Sequence, residues 1–378
     1  MNLPTEIFSG YWPGVHVQGI AVDPMGGYIY YSFTTFLLKT DLSGNPVGSV
    51  INLAGHLGCI TFDPERNRVY GSLEMKHDAI GRGIISRTGW DPNPEDNFYL
   101  VSFDCEKIDR MEIDADGSHI MLAVWLGDVV RDYKGTDIVS GTEHIYGCSG
   151  IDGTGFGPAF GAAPDSPKKI MTAYGIYSDL NRRDNDHQVF LQNDPSVFSQ
   201  FGKPLNQISP HHSGPKSCEA RYFLYTGNTE WGVQNLEYDA CSRTWLVAVY
   251  PGKKNTFTNF RMFFIDAAAA PREETLTGRN GETGLLLTLA ELGETGKHGL
   301  HGSRFLYGAT GVCSLGNGLF YFAKPGKDVP NKGCCCHVLL YRFVPESRTC
   351  FAREQQKGPA AELMEKIKRD IAAFFATR

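Results

Sequence analysis

Short apolar runs broken by tight turns fill this chain, and outside its tail they do not keep helical spacing. "HVQGIAVD" (16–23) stops at an Asp, then come the turn residues PMGG and a second run, "YIYYSFTT". "HLGCITFD" (56–63) repeats that order with PERN and "RVYGSLEMKHD". "QNLEYD" (234–239) is followed by ACSR and "TWLVAVYPGKK", and "TGVCSL" (310–315) by GNG and "LFYFAKPGK". A fifth member, "SGIDG" (149–153), has a longer insert before "KKIMTAYGIYSD". Runs this short, rich in β-branched and aromatic residues and bounded by Gly, Asn, Asp or Pro, predict strands.

Each pair leads to a third run: "FLLKTDL", "NFYLVSFD", "HQVFLQND", "FRMFFID" and "HVLLYRF". Fourth strands are expected at "PVGSVINL", "DRMEID" and "GLLLTLA". Five copies of one strand–turn–strand–loop–strand unit predict an all-β protein, a five-bladed β-propeller, because radial closure leaves few free edges. Six blades result if "MEIDADGSHIMLAVWL" (111–126) is a hairpin of its own.

The blade pattern resembles that of the β-propeller superfamily over residues 12–353. "QG" at the first strand and "KTDLSGNPVGSV" closing its blade are similar to plant-type glutaminyl cyclases and their five-bladed relatives. The resemblance implies the five-bladed fold. No catalytic motif of that family follows in the chain, so its activity is not carried over.

The tail has a different period. "GPAAELMEKIKRDIAAFFATR" places Leu363, Met364, Ile367, Ile371, Phe374 and Phe375 on one helical face. The expected organisation is therefore one propeller domain, 1–353, and a C-terminal α-helix within 354–378, packed on the propeller or forming a homodimer contact.

Composition narrows the function classes. A net charge of -6 with mixed signs excludes a general nucleic-acid binder, which needs a basic face. No apolar stretch approaches the roughly 18 residues of a spanning helix, and the N-terminus does not read as a secretory signal. Ten scattered cysteines then read as reduced thiols, and the expected setting is cytoplasmic, without membrane attachment.

Loop lengths choose the working face. The turns between first and second strands are tiny in four blades. The loops after second strands and the entries to first strands are long, and long loops in a compact domain carry function. At those entries stand His16, His56, Tyr146, Trp231 after Glu230, and Tyr307; the last three aromatics each precede a glycine. At the tops of second strands stand Glu74, Lys76, His77, Tyr177, Asp179, Tyr250, Lys253 and Lys324. Gln18 and Gln234 lie just inside two first strands. Aromatic walls with a few charged groups are what a ligand pocket requires.

Two chemistries follow. Aromatic platforms stack on sugar faces, and lysines suit an anionic group. His16 or His56 would serve as general acid or base, tuned by Glu74 or Glu230, with His77 a further candidate. No carboxylate pair announces a two-acid glycosidase. Alternatively His16, His56 and His301 would hold a divalent metal, with Gln18 or Gln234 as weaker ligands. "CCCHV" (334–338) cannot enclose one tetrahedral ion, because consecutive strand residues face opposite ways. The expected function is a carbohydrate-active enzyme, a glycoside hydrolase or lyase, on a small, anionic oligosaccharide or glycoside. A non-catalytic sugar- or peptide-binding propeller and a metal-dependent propeller enzyme are the alternatives. Blade-specific residues at the mouth favour one asymmetric site over repeated binding sites.

Overall fold

The computed structural model describes residues 3–13, 16–88, 95–138, 140–326, 329–330 and 333–355. Five sheets, antiparallel through their inner, second and third strands, are arranged around an axis as a five-bladed β-propeller. Their innermost strands are Gly19–Asp23, His56–Asp63, Cys148–Pro158, Thr229–Asp239 and Val312–Ser314. Each touches its neighbours in turn, and the fifth packs back on the first.

The repeated Asp that closes an inner strand has a physical cause. Asp23 accepts a hydrogen bond from Gly26 N (2.8 Å), Asp63 from Glu65 N (2.9 Å), and Asp239 from Ser242 N (2.7 Å). In each case the carboxylate ties down the turn into the second strand, as short polar side chains do in Asx turns. In blade five Ser314 Oγ takes that role, accepting from Gly316 N at 3.0 Å.

The core is five apolar layers, one between each pair of blades. Tyr30 and Leu37 meet Leu57 and Val101 between the first two. Leu100 and Val124 meet Ile151 and Tyr174 in the next. Trp245 and Phe263 pack under Ala173 and Phe190, Phe264 under Phe320, and Tyr321 against Ile20. A blade buried on both faces has no polar face, so the Arg68–Met75 strand is buried almost throughout and does not alternate.

Outer strands depart from expectation at three places. Met121–Trp125 is the fourth strand of blade two, with the short Lys203–Pro204 pairing outside it, so residues 111–126 supply an outer strand and not a sixth blade. The expected fourth strand "DRMEID" contributes only Ile113–Asp114, which runs parallel beside Val50 and Ile51 of blade one. "GLLLTLA" splits between blades: Leu285 and Leu286 pair with Tyr222 and Phe223 of blade three, while Leu289 bridges to Ile265 of blade four. Non-local pairing decided these edges, and hydrophobicity alone does not encode it.

The strand that completes the last blade was not expected from the repeat. The N-terminal strand Glu6–Trp12 adds antiparallel to Cys334–Phe343, so strands from the first and last parts of the described chain share blade five. Ser9 Oγ accepts from Cys336 N at 2.8 Å, and Tyr321 Oη donates to Pro4 O at 2.8 Å. The expected C-terminal helix lies outside the described residues. Among the described residues no helix is long and apolar enough to cross a membrane.

Candidate functional site

The long loops rise on one face, and the inner strands carry their entry residues to the axis there. His16, Gln18, His56, Glu74, Lys76, Ser149, Asp152, Trp231, Gln234 and Tyr250 line a cavity of about 250 Å³. A second cavity of about 360 Å³ adjoins it, sharing His16 and Tyr250 and adding Arg261, Tyr307 and Lys324.

His56 is the centre of the first cavity. It begins the inner strand of blade two, directly across from Glu74 on the second strand. Its Nδ1 lies 3.2 Å from Asp152 Oδ1 and 3.5 Å from Glu74 Oε1. The approach to Asp152 is off the hydrogen-bonding direction, leaving both buried atoms as ion-pair partners without a hydrogen bond. Burial opposes the imidazolium, but Asp152 and Glu74 together outweigh it and raise the His56 pKa to about 9.

The two carboxylates are themselves held. Glu74 Oε1 is 2.7 Å from Lys76 Nζ, and its Oε2 accepts from Ile151 N at 3.1 Å. Lys76 also donates to Ser149 O at 2.7 Å and lies 3.6 Å from Asp78. Burial alone would lower the Lys76 pKa; Glu74, then Asp78 and Asp152, reverse that and raise it. Asp152 Oδ2 accepts from Gln234 Nε2 at 3.0 Å, and the same amide donates to Trp231 O at 3.0 Å. Glycine at 150 makes this assembly fit: its φ is +126°, and a Cβ there would lie 2.1 Å from Glu74 Oε2.

His16 is the second imidazole on this cavity, and its environment works the other way. Burial first, then the charges of His56 and Arg87, hold its pKa below the ordinary histidine value. Gln18 Nε2 lies 3.2 Å from its Nε2, a contact that suits a neutral ring accepting from the amide. Burial, with Asp152 behind it, pushes the Tyr250 hydroxyl up to about 12, so it stays a donor.

Of the residues singled out from sequence, His16, Gln18, His56, Glu74, Lys76, Trp231, Gln234 and Tyr250 line the first cavity, and Tyr307 and Lys324 the second. Tyr177 stands behind Trp231, its ring edge-on at 6.1 Å and its hydroxyl donating to Asp78 Oδ2 at 2.9 Å. The others are directed elsewhere. Tyr146 is buried in blade three, where its hydroxyl donates to Glu282 Oε1 at 2.6 Å and its ring faces Arg279 at 4.5 Å. Glu230 and Lys253 pair with each other at 3.0 Å on the exposed rim. His77 turns to Asp96 (3.2 Å), and the Asp179 carboxylate accepts from Asn181 N (2.8 Å) in an exposed turn.

The expected metal set is not brought together. His301 lies in a two-residue strand paired with Thr295, and it lines neither cavity. The cluster whose donor atoms do converge, within 4.8 Å, is His56, Glu74 and Asp152. Asp152 is the residue of this cluster that sequence reading did not single out; its position in the inner strand of blade three, like that of His56 in blade two, was the available signal. The charges of "RRDNDHQ" (182–188) are paired within the fold: Arg182 and Asp184 meet at 2.7 Å, and Asp186 meets Lys254 at 2.6 Å. His211 and His212 pack on Tyr99 and Trp125 at the outer part of blade two, away from the mouth.

No protein-family model matches this chain, and no curated protein does. Among solved structures, native Bacillus subtilis arabinanase is similar at 11% identity and a TM-score of 0.39, covering 89% of this chain and 97% of that one.

Proposed function

We propose that this chain is a carbohydrate-active enzyme, a glycoside hydrolase or lyase, with His56 as general acid and His16 as general base. One observation carries the reading: two histidines line one cavity, and their surroundings drive their pKa values apart. At neutral pH His56 holds a proton to give and His16 has room for one, the division of labour that acid–base catalysis needs. Asp152 and Glu74 flank His56 Nδ1, which leaves its Nε2 to act on a leaving oxygen. His16 would exchange its Gln18 contact for the proton of a water, in hydrolysis, or of a carbon beside a carboxylate, in elimination.

Glu74 and Asp152 are poorly suited to be a nucleophile and acid of their own. Three of their four oxygens are engaged by Lys76, Ile151 N and Gln234 and the fourth, Asp152 Oδ1, faces His56, so the carboxylates serve the imidazole. Trp231 and Tyr250 supply flat walls for sugar rings. The scattered cysteines, most of them buried, fit a reducing, cytoplasmic setting. A screen of acidic oligosaccharides and aryl glycosides tests the proposal: turnover by the wild type, absent in His16→Ala, is expected. Binding without turnover of any substrate would instead mark a sugar-binding protein.

A second reading has an observation of its own. The unbonded His56 Nδ1 and Asp152 Oδ1, with Glu74, could hold a divalent cation. Lys76, already on Glu74, would have to withdraw. Metal analysis of the purified protein separates the readings, since stoichiometric metal whose removal abolishes turnover favours the second.

A further inference from the structure

We infer that the cavity beside the histidines is an anion subsite, in which Arg261 and Lys324 receive the carboxylate of a uronate-type sugar. The inference rests on the carbohydrate-active reading above and names the chemistry of the unit that enters on the His16 side.

The two adjoining cavities differ in charge. Glu74 and Asp152 line the first, and its cations are neutralised: Lys76 by Glu74, His56 by both acids. The second is lined by His16, Tyr250, Tyr307, Arg261 and Lys324 among others, and by no carboxylate. Neither Arg261 nor Lys324 forms an ion pair with any carboxylate among the described residues, in a chain whose other arginines and lysines repeatedly find one.

Each of the two is held at the cavity by its backbone. Arg261 precedes the third strand of blade four; its N–H donates to Ser303 O (2.9 Å) and its carbonyl accepts from Val249 N (2.9 Å). Lys324 is near the end of the second strand of blade five, paired there with His337. Two cations from different blades, with the phenol rings of Tyr250 and Tyr307 in the same wall, form a cradle for a flat ring carrying a negative charge. Arginine suits the bidentate geometry of a carboxylate, and lysine adds a mobile point charge. Arg87 adds positive potential at His16, which lines both cavities.

Glucose and glucuronate test this, since they differ chiefly by the carboxylate. Calorimetric titration should give the wild type at least about tenfold tighter binding of glucuronate. The preference should shrink with added salt, as screening requires. Arg261→Gln with Lys324→Met should bind the two sugars alike, and Lys324→Met alone, an exposed change that leaves folding intact, should lose part of the preference. His56→Gln, a variant of the acid–base pair, should keep the full preference even without turnover. A failed catalytic assignment would therefore leave this result standing. Equal binding of the two sugars by the wild type, absence of glucuronate binding, or an unchanged preference in the double variant overturns the inference.

Discussion

His56 and His16 were read from sequence as equals, and their surroundings make them opposites. The imidazolium at 56 neutralises two carboxylates that are otherwise buried. His56→Ala should therefore cost stability as well as turnover, about 3 kcal/mol for leaving buried charge uncompensated, measurable by denaturant unfolding. His16 has no such partner, so His16→Ala should abolish turnover with the melting temperature within a few degrees of wild type. The pH dependence of kcat/KM should be bell-shaped. It rises as His16 loses its proton, below the ordinary value of 6.5, and falls as His56 loses its own near 9. A flat profile across that range would remove the pair from the mechanism.

The element scale explains why Glu74 reaches blade three at all. Register shifts in the inner strands, between Leu57 and Ile60 and between Cys148 and Gly150, bend the chain where the site is built. Gly150 then leaves the space that Glu74 fills. Gly150→Ala meets both a positive φ and the carboxylate, and should cost more than about 2 kcal/mol. It should also pull the alkaline limb of the pH profile below 9, because His56 loses a partner; an unmoved limb would show that Glu74 does not set it. The strand Glu6–Trp12 is the other decisive element. Without it the outer side of Cys334–Phe343 keeps only its short pairing with Phe351–Arg353 and exposes a long edge. Deletion of residues 1–12 should broaden thermal unfolding and cause aggregation, read by calorimetry and light scattering.

Across the whole molecule, buried groups that prefer one protonation state set the range of pH in which the ring is stable. His187, in the third strand of blade three, is held neutral by burial and then by Arg279, with its pKa lowered to about 4. Its contribution is present above the unfolded value of 6.5 and is lost as pH falls through 6.5 toward 4, about 3 kcal/mol in all. Two groups act in the other direction. His56 contributes below 6.5, and that contribution is lost as pH rises through about 9. Glu237, facing a cavity at the opposite mouth of the channel, is raised to about 8 by burial, so ionising it costs the fold between 4.5 and 8. Glu237→Gln should accordingly raise the melting temperature at pH 8 and change it little near pH 4. An equal shift at both values would mean that its ionisation is not what the fold resists.

Periodicity, turn residues and loop lengths by themselves determined the five blades, the inner, second and third strands, and the face on which both candidate cavities lie. The reason is that each of these is a local property repeated five times. They also picked out His16, His56, Trp231 and Tyr250, because the first or second strand of a blade leads straight to the mouth. What joins elements far apart in sequence only the tertiary structure decided: the closing strand at the N-terminus, the edge strands borrowed by neighbouring blades, and Asp152 beside His56. Tyr146 and Glu230 occupy positions like those of the cavity residues, yet a distant loop offers Tyr146 Glu282 and Arg279 first, and Lys253, just past the second strand of the same blade, takes Glu230. The same holds for charge. The histidines are legible as letters, but which one keeps its proton depends on carboxylates that the folded ring alone brings within 3.5 Å.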